Sequence, residues 1–433
     1  MSASTLPIDP PALAPGAIVH VAYSGGLDST VLLHRLAHHD PRLRLRAVHI
    51  HHGLQAAADE WAEKCERFSK SLGVAFELLR VQVDGLDPAG PEAAARNARY
   101  EALRRLMRPG DCLATAHHRG DQAETVLLRL LRGSGVHGLS AMRLLRGFAP
   151  GWLWRPFLEL PRERLYAYAQ EHDLRWIEDP HNRDTRYSRS WLRAELTPLL
   201  RERFPQAEES LARTARLAAE AAGLLDELAA LDLAEAARGE ALATAALREL
   251  GPARRNNLLR WWLRQRGFEA PAADALERVA REVLDAAGDA EPLLGWAGCE
   301  LRRYRDRLYA MAPLPPPPAT DPALAWLGEQ LPLPEGCGRL RLPQPPPRGL
   351  SVRFMRGGER FRPAGAAHSR TLKNLFQEAG VPPWVRLRTP LVEADGELVY
   401  VAGIGASGRW KELQPGSATE PDWLEPPAGA RTG

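Results

Sequence analysis

Six consecutive residues, Ser24-Gly25-Gly26-Leu27-Asp28-Ser29, put two glycines, two hydroxyls and a carboxylate side by side. Glycines let a backbone approach a ligand closely, hydroxyls donate hydrogen bonds, and a carboxylate beside phosphate oxygens is a ligand for Mg²⁺. Where such a loop opens a helix, the unpaired N–H groups and the positive dipole end favour an anion. The chemistry implied is a polyphosphate cradle over Ser24–Ser29 with Asp28 holding Mg²⁺. The alternative is a plain strand-to-helix turn capped by Asp or Ser. No lysine closes the loop as in Walker-type sites, and its glycines lack the spacing of a dinucleotide turn.

A second set lies further along. Asp121 and Glu124 are three apart and share one helix face. Two carboxylates beside a triphosphate suit Mg²⁺ or a substrate ammonium, although acids in a first turn are also favoured by the helix dipole alone. Arg189 and Arg193 share a face if 188–200 is helical, where a solvated face is the ordinary explanation. His49, His51 and His52, with His117 and His118, raise a metal site. On a strand His49 and His51 point one way and His52 the other. Without a cysteine or carboxylate at ligand spacing, a hydrogen-bonding pocket suits them better than zinc.

These residues need elements to position them. Ala17–Tyr23, Leu43–Ile50, Val74–Val81 and Cys112–Ala116 read as strands. Asp28–His39, Ala57–Leu72, Pro91–Met107 and Asp121–Arg132 read as helices between and after them. That alternation predicts an α/β domain with a doubly wound parallel sheet over residues 1–204. Ligands of such sheets bind at the carboxyl ends of the strands, just after Tyr23, Ile50 and Ala116. Residues 205–312 shift to Ala, Leu, Glu and Arg at helical spacing and predict a helical domain. Proline runs at Leu314–Pro318 and Gln344–Pro347 predict a linker over 313–348. Residues 349–433 predict a small α+β domain, with a helix at Leu372–Ala379 and a strand at Leu398–Ala402.

At 433 residues the chain has room for about three domains. Hydrophobic residues at 45% and charged residues at 26% are the balance of a folded protein, not a disordered one. No apolar run approaches the ~20 residues of a membrane span. The first 34 residues hold neither Lys nor Arg, so a secretory signal lacks its basic start. Four cysteines without a CxxC pair predict a reduced, cytoplasmic protein rather than a disulfide scaffold. Net charge is +3, yet Thr125–Arg155 carries five arginines and no carboxylate, and Ser351–Pro390 eight Arg/Lys against two Glu. Such local excess suits a surface that meets phosphate. Only four of the 57 cations are lysine, a bias that explains the preference for arginine but not the missing carboxylates.

The Ser24–Ser29 loop after an apolar strand resembles the signature of the PP-loop ATP-pyrophosphatase superfamily. Further segments resemble one family within it, the tRNA(Ile)-lysidine synthases. They are His49-Ile50-His51-His52-Gly53-Leu54, Ala95-Arg96-Asn97-Ala98-Arg99-Tyr100, Thr115-Ala116-His117-His118, Asp121-Gln122-Ala123-Glu124-Thr125, Arg132-Gly133-Ser134-Gly135 and Gly138–Met142. Asp179-Pro180-His181-Asn182, leading to Tyr187, Arg189 and Arg193, continues the likeness. Gly357-Gly358-Glu359-Arg360, Leu372-Lys373-Asn374-Leu375 and Pro382–Arg386 resemble that family's terminal domain. The likeness is dense over residues 17–200, looser over 350–405 and compositional in between. Three positions depart from the family pattern: Ser190 in place of Asn, Arg119-Gly120 before Asp121, and the bulky Tyr23.

The resemblance implies an adenine nucleotide alpha hydrolase-like fold binding ATP through Ser24, Gly25, Gly26, Leu27, Asp28 and Ser29, with His49 and Arg96 beside the nucleotide. It implies Asp28, Asp121, Glu124 and Arg189 as catalytic residues, with Mg²⁺ on Asp28. Arg193, Arg360, Lys373 and Arg386 become candidate contacts to tRNA, where Trp384 either stacks with Arg386 and Arg388 or anchors the core. The implied activity is ATP-dependent ligation of free L-lysine to the wobble cytidine of a CAU-anticodon isoleucine tRNA, by a cytoplasmic enzyme for which a homodimer is open. Two competitors are a PP-loop tRNA thiolase, which would want a reactive cysteine or an iron–sulfur set, and an ATP-gated tRNA-binding module without turnover.

Overall fold

The computed structural model describes residues 6–51, 53, 57–82, 91–178, 184–269, 271–287, 290–346, 349–413 and 419–424. His52, Leu54 and Asp179–Asn182 of the motifs above lie outside them. Two compact units divide the chain, residues 1–224 and 225–433.

The first unit carries strands β1 (Ile18–Ala22), β2 (Arg44–His51), β3 (Ala75–Arg80), β4 (Cys112–Ala114), β5 (Leu145–Phe148) and β6 (Gly151–Trp154). Its helices are α1 (Leu27–Ala37), α2 (Ala58–Ser71), α3 (Pro91–Leu106), α4 (Arg119–Leu131), α5 (Val136–Leu139) and α6 (Arg162–Glu171). The sheet order is β3-β2-β1-β4-β6-β5, parallel except where β5 meets β6. The order reverses between β1 and β4, the switch point at which such sheets bind ligands. Period-two alternation covers both faces: Val19, Val21, Ala47, Cys112, Ala114 and Trp154 pack into one core with α1, α2 and α6. Val48, Leu113 and Leu153 pack into another with Leu103 and Met107 around α3. Each fully buried leucine among them contributes ~2 kcal/mol.

Downstream, α7 (Ser188–Trp191), a π turn (Leu192–Leu196) and α8 (Thr197–Arg203) follow one another, and α9 (Ala207–Ala236) runs across the unit boundary. The helix predicted over 188–200 is therefore present, with one widened turn.

In the second unit the helices expected between 205 and 312 are present, but they share the region with an antiparallel sheet. That sheet includes Ala241–Ala243, Leu293–Trp296, Cys299–Tyr304 and Arg307–Met311. The strand Cys299–Tyr304 buries alternate residues, but one of them is Arg303, whose guanidinium bonds the carbonyls of Leu284 and Ala287. A buried arginine hides the apolar alternation that marks a strand.

The linker expected over 313–348 is also corrected. Leu324–Ala325 pairs with Leu350–Arg353, and Arg339–Arg341 pairs with Gln330–Pro332 on one side and Asp422–Leu424 on the other. Trp326 and Leu340 are buried in the same core as Val392 and Trp410. The proline runs flank these strands, and Pro332 lies on an edge strand, where its missing N–H is harmless.

The amino-terminal end of the first sheet is closed by one carboxylate. Asp111 accepts hydrogen bonds from the Ile18 N–H (2.9 Å), the Arg108 N–H (3.0 Å) and His20 Nε2–H (3.0 Å), tying β1 to β4. Burial pushes its acidity down, yet these donors outweigh burial and hold its pKa below the ordinary aspartate value. Asp111→Ala strands one buried and two part-buried donors and is expected to cost about 3 kcal/mol in urea denaturation. With a depressed folded pKa, the contribution of Asp111 is complete above about pH 4 and disappears as pH falls through the folded value. Wild-type stability should fall over that acid range more steeply than that of the variant.

Candidate active site

The loop after β1 is built around Gly25. Its φ of +84° lies in the left-handed region, and a Cβ there would sit 2.7 Å from both Cys65 Sγ and Ile177 Cδ1. Its carbonyl accepts the Ile177 N–H at 2.9 Å. Gly26 is the N-cap of α1 with ordinary extended backbone. Ser24 Oγ lies 3.0 Å from Ser29 Oγ, and Ser29 Oγ–H lies 3.0 Å from the Gly26 carbonyl. The loop is thus held by its own hydroxyls, and the first N–H groups of α1 have no acceptor within the helix. Leu27, expected in the nucleotide site, puts its side chain in the core and leaves only its backbone to the loop.

Asp28, in the first turn of α1, is half-buried. Its Oδ1 lies 3.4 Å from Arg162 Nε at the start of α6. His49 is buried at the end of β2, and its Nδ1–H donates to the Tyr23 carbonyl at 2.9 Å, just ahead of the loop. Burial lowers its pKa, so the ring is neutral and Nε2 is left as an acceptor. Arg96 is exposed on α3, its guanidinium 5.2 Å from the Tyr100 ring centroid.

The start of α4 holds the carboxylates. His118 caps the helix, Nδ1 accepting the Gly120 and Asp121 N–H groups, while Asp121 Oδ2 accepts the His118 N–H at 3.0 Å. A Cβ on Gly120 would lie 2.9 Å from His118 Cε1, so the Arg119-Gly120 departure makes room for this cap. Asp121 Oδ1 takes Arg193 Nη2 at 3.2 Å. Glu124, only 5% exposed, is gripped by Arg193 through Nε–H to Oε1 (2.8 Å) and Nη2–H to Oε2 (3.1 Å). Arg189 Nη1 lies 3.8 Å from Glu124 Oε2, and its Nη2–H donates to Thr125 Oγ1 at 3.2 Å.

The electrostatics follow from this packing. Burial raises the pKa of Glu124 in spite of Arg193. Burial opposes ionisation of Asp121 too, but His118, His117 and the capping N–H outweigh it and lower its value. His117 is held neutral by burial, with Asp121 pulling the other way and Arg155, Arg96 and Arg189 adding to the depression. Arg193 is kept charged against burial by Glu124, Asp121 and, more weakly, Asp28. Asp121, Glu124, Arg189 and Arg193 thus form one charge-matched cluster, with Asp28 acting more weakly on Arg193 and Arg96 on the neighbouring His117. One oxygen of Asp121 caps the helix and the other pairs with Arg193.

The remaining candidates divide. Arg193, expected at tRNA, is instead paired with Glu124 and Asp121. Arg360 and Lys373 are exposed in the second unit, Arg360 bonding the Ser369 carbonyl. Arg386 is half-buried against the Val381 carbonyl (2.8 Å) and Tyr304 hydroxyl (3.0 Å). Trp384 is the core anchor of the two alternatives, edge-on to Tyr309 at 5.5 Å. Arg162 was not singled out in the sequence, where nothing in its neighbourhood marks it. Among the described residues no group of three or more His, Cys, Asp or Glu is placed to hold a metal. His51 instead lies 3.3 Å from Asp59.

Three family models match the chain: a PP-loop domain over residues 10–200, a TilS substrate binding domain over 242–309 and a TilS substrate C-terminal domain over 350–423. The tRNA(Ile)-lysidine synthase of Alkalilimnicola ehrlichii is 46% identical over 410 residues, 92% of either chain. That of Methylococcus capsulatus is 44% identical, covering 90% of this chain and 92% of its own. Among solved structures, a U34-tRNA thiolase from Methanococcus maripaludis is similar at 20% identity and a TM-score of 0.40, covering 47% of this chain and 72% of that one.

Two glycine substitutions separate packing from ligand approach. Gly25→Ala should destabilise the protein by about 3 kcal/mol, from left-handed strain and overpacking together, read as a fall in Tm. Gly26→Ala meets nothing closer than Ser24 Oγ at 3.5 Å and should leave Tm within about 2 °C. A large Tm loss in Gly26→Ala would show that the loop is not held as described.

Proposed function

Because the chain belongs to the tRNA(Ile)-lysidine synthase family, we propose that it ligates free L-lysine to C2 of the wobble cytidine in a CAU-anticodon isoleucine tRNA, converting ATP to AMP and pyrophosphate. The observation that carries the mechanism is the single cluster that joins Asp121, Glu124, Arg189 and Arg193, with Asp28 acting more weakly on Arg193.

A pyrimidine 2-oxo group leaves poorly, so lysine cannot displace it directly. In the first step O2 of the cytidine attacks the α-phosphorus of ATP, the bond to the β-phosphate oxygen breaks, and pyrophosphate departs. In the second step the ε-amine of lysine attacks C2, the C2–O bond breaks, and AMP leaves. The first N–H groups of α1 receive the phosphates. Asp28 fits Mg²⁺, which takes one or two carboxylates together with substrate phosphates and supplies charge neutralisation there. Arg189, held on Thr125, faces the transferring phosphate. Asp121 and Glu124 already hold a guanidinium, and the same two carboxylates suit the α-ammonium of lysine. His49 offers Nε2 to the adenine amino group, with Arg96 at the rim. Arg360 and Lys373 are the exposed cations offered to the tRNA backbone.

The thiolase alternative is disfavoured by the thiols. All four cysteines are buried. Burial pushes Cys65 and Cys112 up to about 12 and Cys299 and Cys337 up to about 11. A sulfur-transfer thiolate needs the opposite shift.

Protein, ATP, Mg²⁺ and labelled lysine are mixed with unmodified CAU-anticodon isoleucine tRNA, using methionine tRNA as control. ATP-dependent label that survives mild alkali, on the isoleucine tRNA alone, is the expected result. AMP release without label would move the nucleophile to sulfur or another amine. Asp28→Asn should lower turnover at least about 100-fold with tRNA affinity unchanged.

A pH profile tests Glu124. Its raised pKa means that the carboxylate is lost early as pH falls, so kcat/KM for lysine should show an acid limb. Glu124→Gln should raise the KM for lysine about tenfold or more and remove that limb. A limb that survives the substitution would place the titrating group elsewhere.

A further inference from the structure

The loop has no lysine of its own, yet the reaction proposed above expels pyrophosphate, a highly charged leaving group. A Walker-type loop meets that charge with a lysine at its end. Here the carboxylate of Asp28 is in contact with one cation among the described residues, Arg162, 3.4 Å away. We infer that Arg162 binds the β- and γ-phosphates of ATP and then the departing pyrophosphate. This inference rests on the ligase reading for the reaction, though not for the binding.

Three features place this guanidinium at the loop. First, Arg162 opens α6 directly after its N-cap Pro161, and the preceding Leu160 carbonyl accepts the Arg119 N–H at 2.9 Å, which ties this corner to the start of α4. Second, α6 is fixed to α1, the helix that leaves the loop, through His34 Nδ1 and the Tyr168 hydroxyl at 3.0 Å and through the shared core at Leu165. The base of Arg162 therefore cannot drift from the loop. Third, its side chain is half exposed and bonds only Asp28 among the described residues, at a distance beyond the usual range for a charge-assisted bond. A buried structural arginine in this fold looks different: Arg353 holds both Glu393 (2.8 Å) and Glu359 (3.0 Å).

The long contact and the free reach describe an arginine parked on Asp28. When Asp28 turns to a cation and phosphate arrives, the guanidinium loses one anion and gains another nearby. Its planar fork matches two phosphate oxygens, which a point charge on lysine does not. As the α-phosphorus bond to the β-phosphate oxygen breaks, the negative charge growing on that oxygen falls on the side of Arg162.

Wild type, Arg162→Ala and Arg162→Lys of the full chain are titrated with inorganic pyrophosphate and, separately, with AMP, in Mg²⁺. Arg162→Ala should weaken pyrophosphate binding at least tenfold and leave AMP within twofold, with Arg162→Lys between. Turnover should fall with a raised KM for ATP and an unchanged KM for lysine. Equal pyrophosphate affinity in wild type and Arg162→Ala overturns the inference. So does an equal loss for pyrophosphate and AMP, which would mark a merely structural role, and so does a wild type that binds no pyrophosphate. A wild type that binds both ligands and makes no lysidine overturns the ligase reading alone, and the comparison of affinities still decides Arg162.

Discussion

Glu124 constrains this site more than any other residue. A carboxylate this deeply buried is tolerable only when paired and hydrogen-bonded, because losing the partner leaves an uncompensated charge. The partners, more than sixty residues away, are Arg189 in α7 and Arg193 in the turn after it, and their reach docks that helical segment on α4. Arg193 lies within the π turn Leu192–Leu196, the widened geometry often found where a helix serves a site. One buried acid thus decides where the second element of this cluster lies. Asp121 and Glu124 already face Arg193 and Arg189, so on the proposed reading lysine binding is an exchange of partners rather than the burial of new charge.

The two ends of the first sheet divide the work. At the amino-terminal end Asp111 gathers N–H groups from β1 and from the turn before β4. At the carboxyl end the loop after β1, the end of β2 and the start of α4 converge on the switch point, where such sheets bind ligands. Gly25 shows the price of the open end: it needs both a left-handed backbone and the absence of a side chain above Cys65 and Ile177. A loop packed this tightly from below presents its N–H groups in one arrangement before ATP arrives, which is how binding energy is kept for the reaction.

Much of this was legible in the sequence, for physical reasons that also mark where legibility ends. The parallel sheet announced itself because buried strands are short, apolar and punctuated by helices, and the loop because two glycines at a strand end have few structural uses. Spacing put Asp121 and Glu124 on one helix face, and the resemblance gave them a role. Their partner Arg193 was on the page too, but helical spacing reports a shared face and not what that face meets. Arg162 carried no local signal at all, since its meaning lies in a contact 134 residues away in sequence. The strands between 313 and 348 were masked by proline, which stiffens a linker and an edge strand alike. Trp384 stayed open between a clamp with Arg386 and a core anchor because aromatic and basic residues are common to RNA surfaces and to cores, and only Tyr304 and Tyr309 packed around them decide.

The same contacts separate compositional drift from chemical need. With four lysines among 57 cations, an arginine at any position is weak evidence of function. Arg42 meets Asp40 on the surface with 89% of its side chain exposed, and a lysine there would lose little. Arg193 is different. Its Nε and Nη2 hold the two oxygens of Glu124 while Nη2 also reaches Asp121, three acceptor atoms met by one rigid plane. A lysine offers three donors from a single point and cannot span that arrangement without leaving a buried oxygen bare. Bias in the genome therefore supplies the surface arginines, whereas the geometry of two adjacent acids on α4 demands this one.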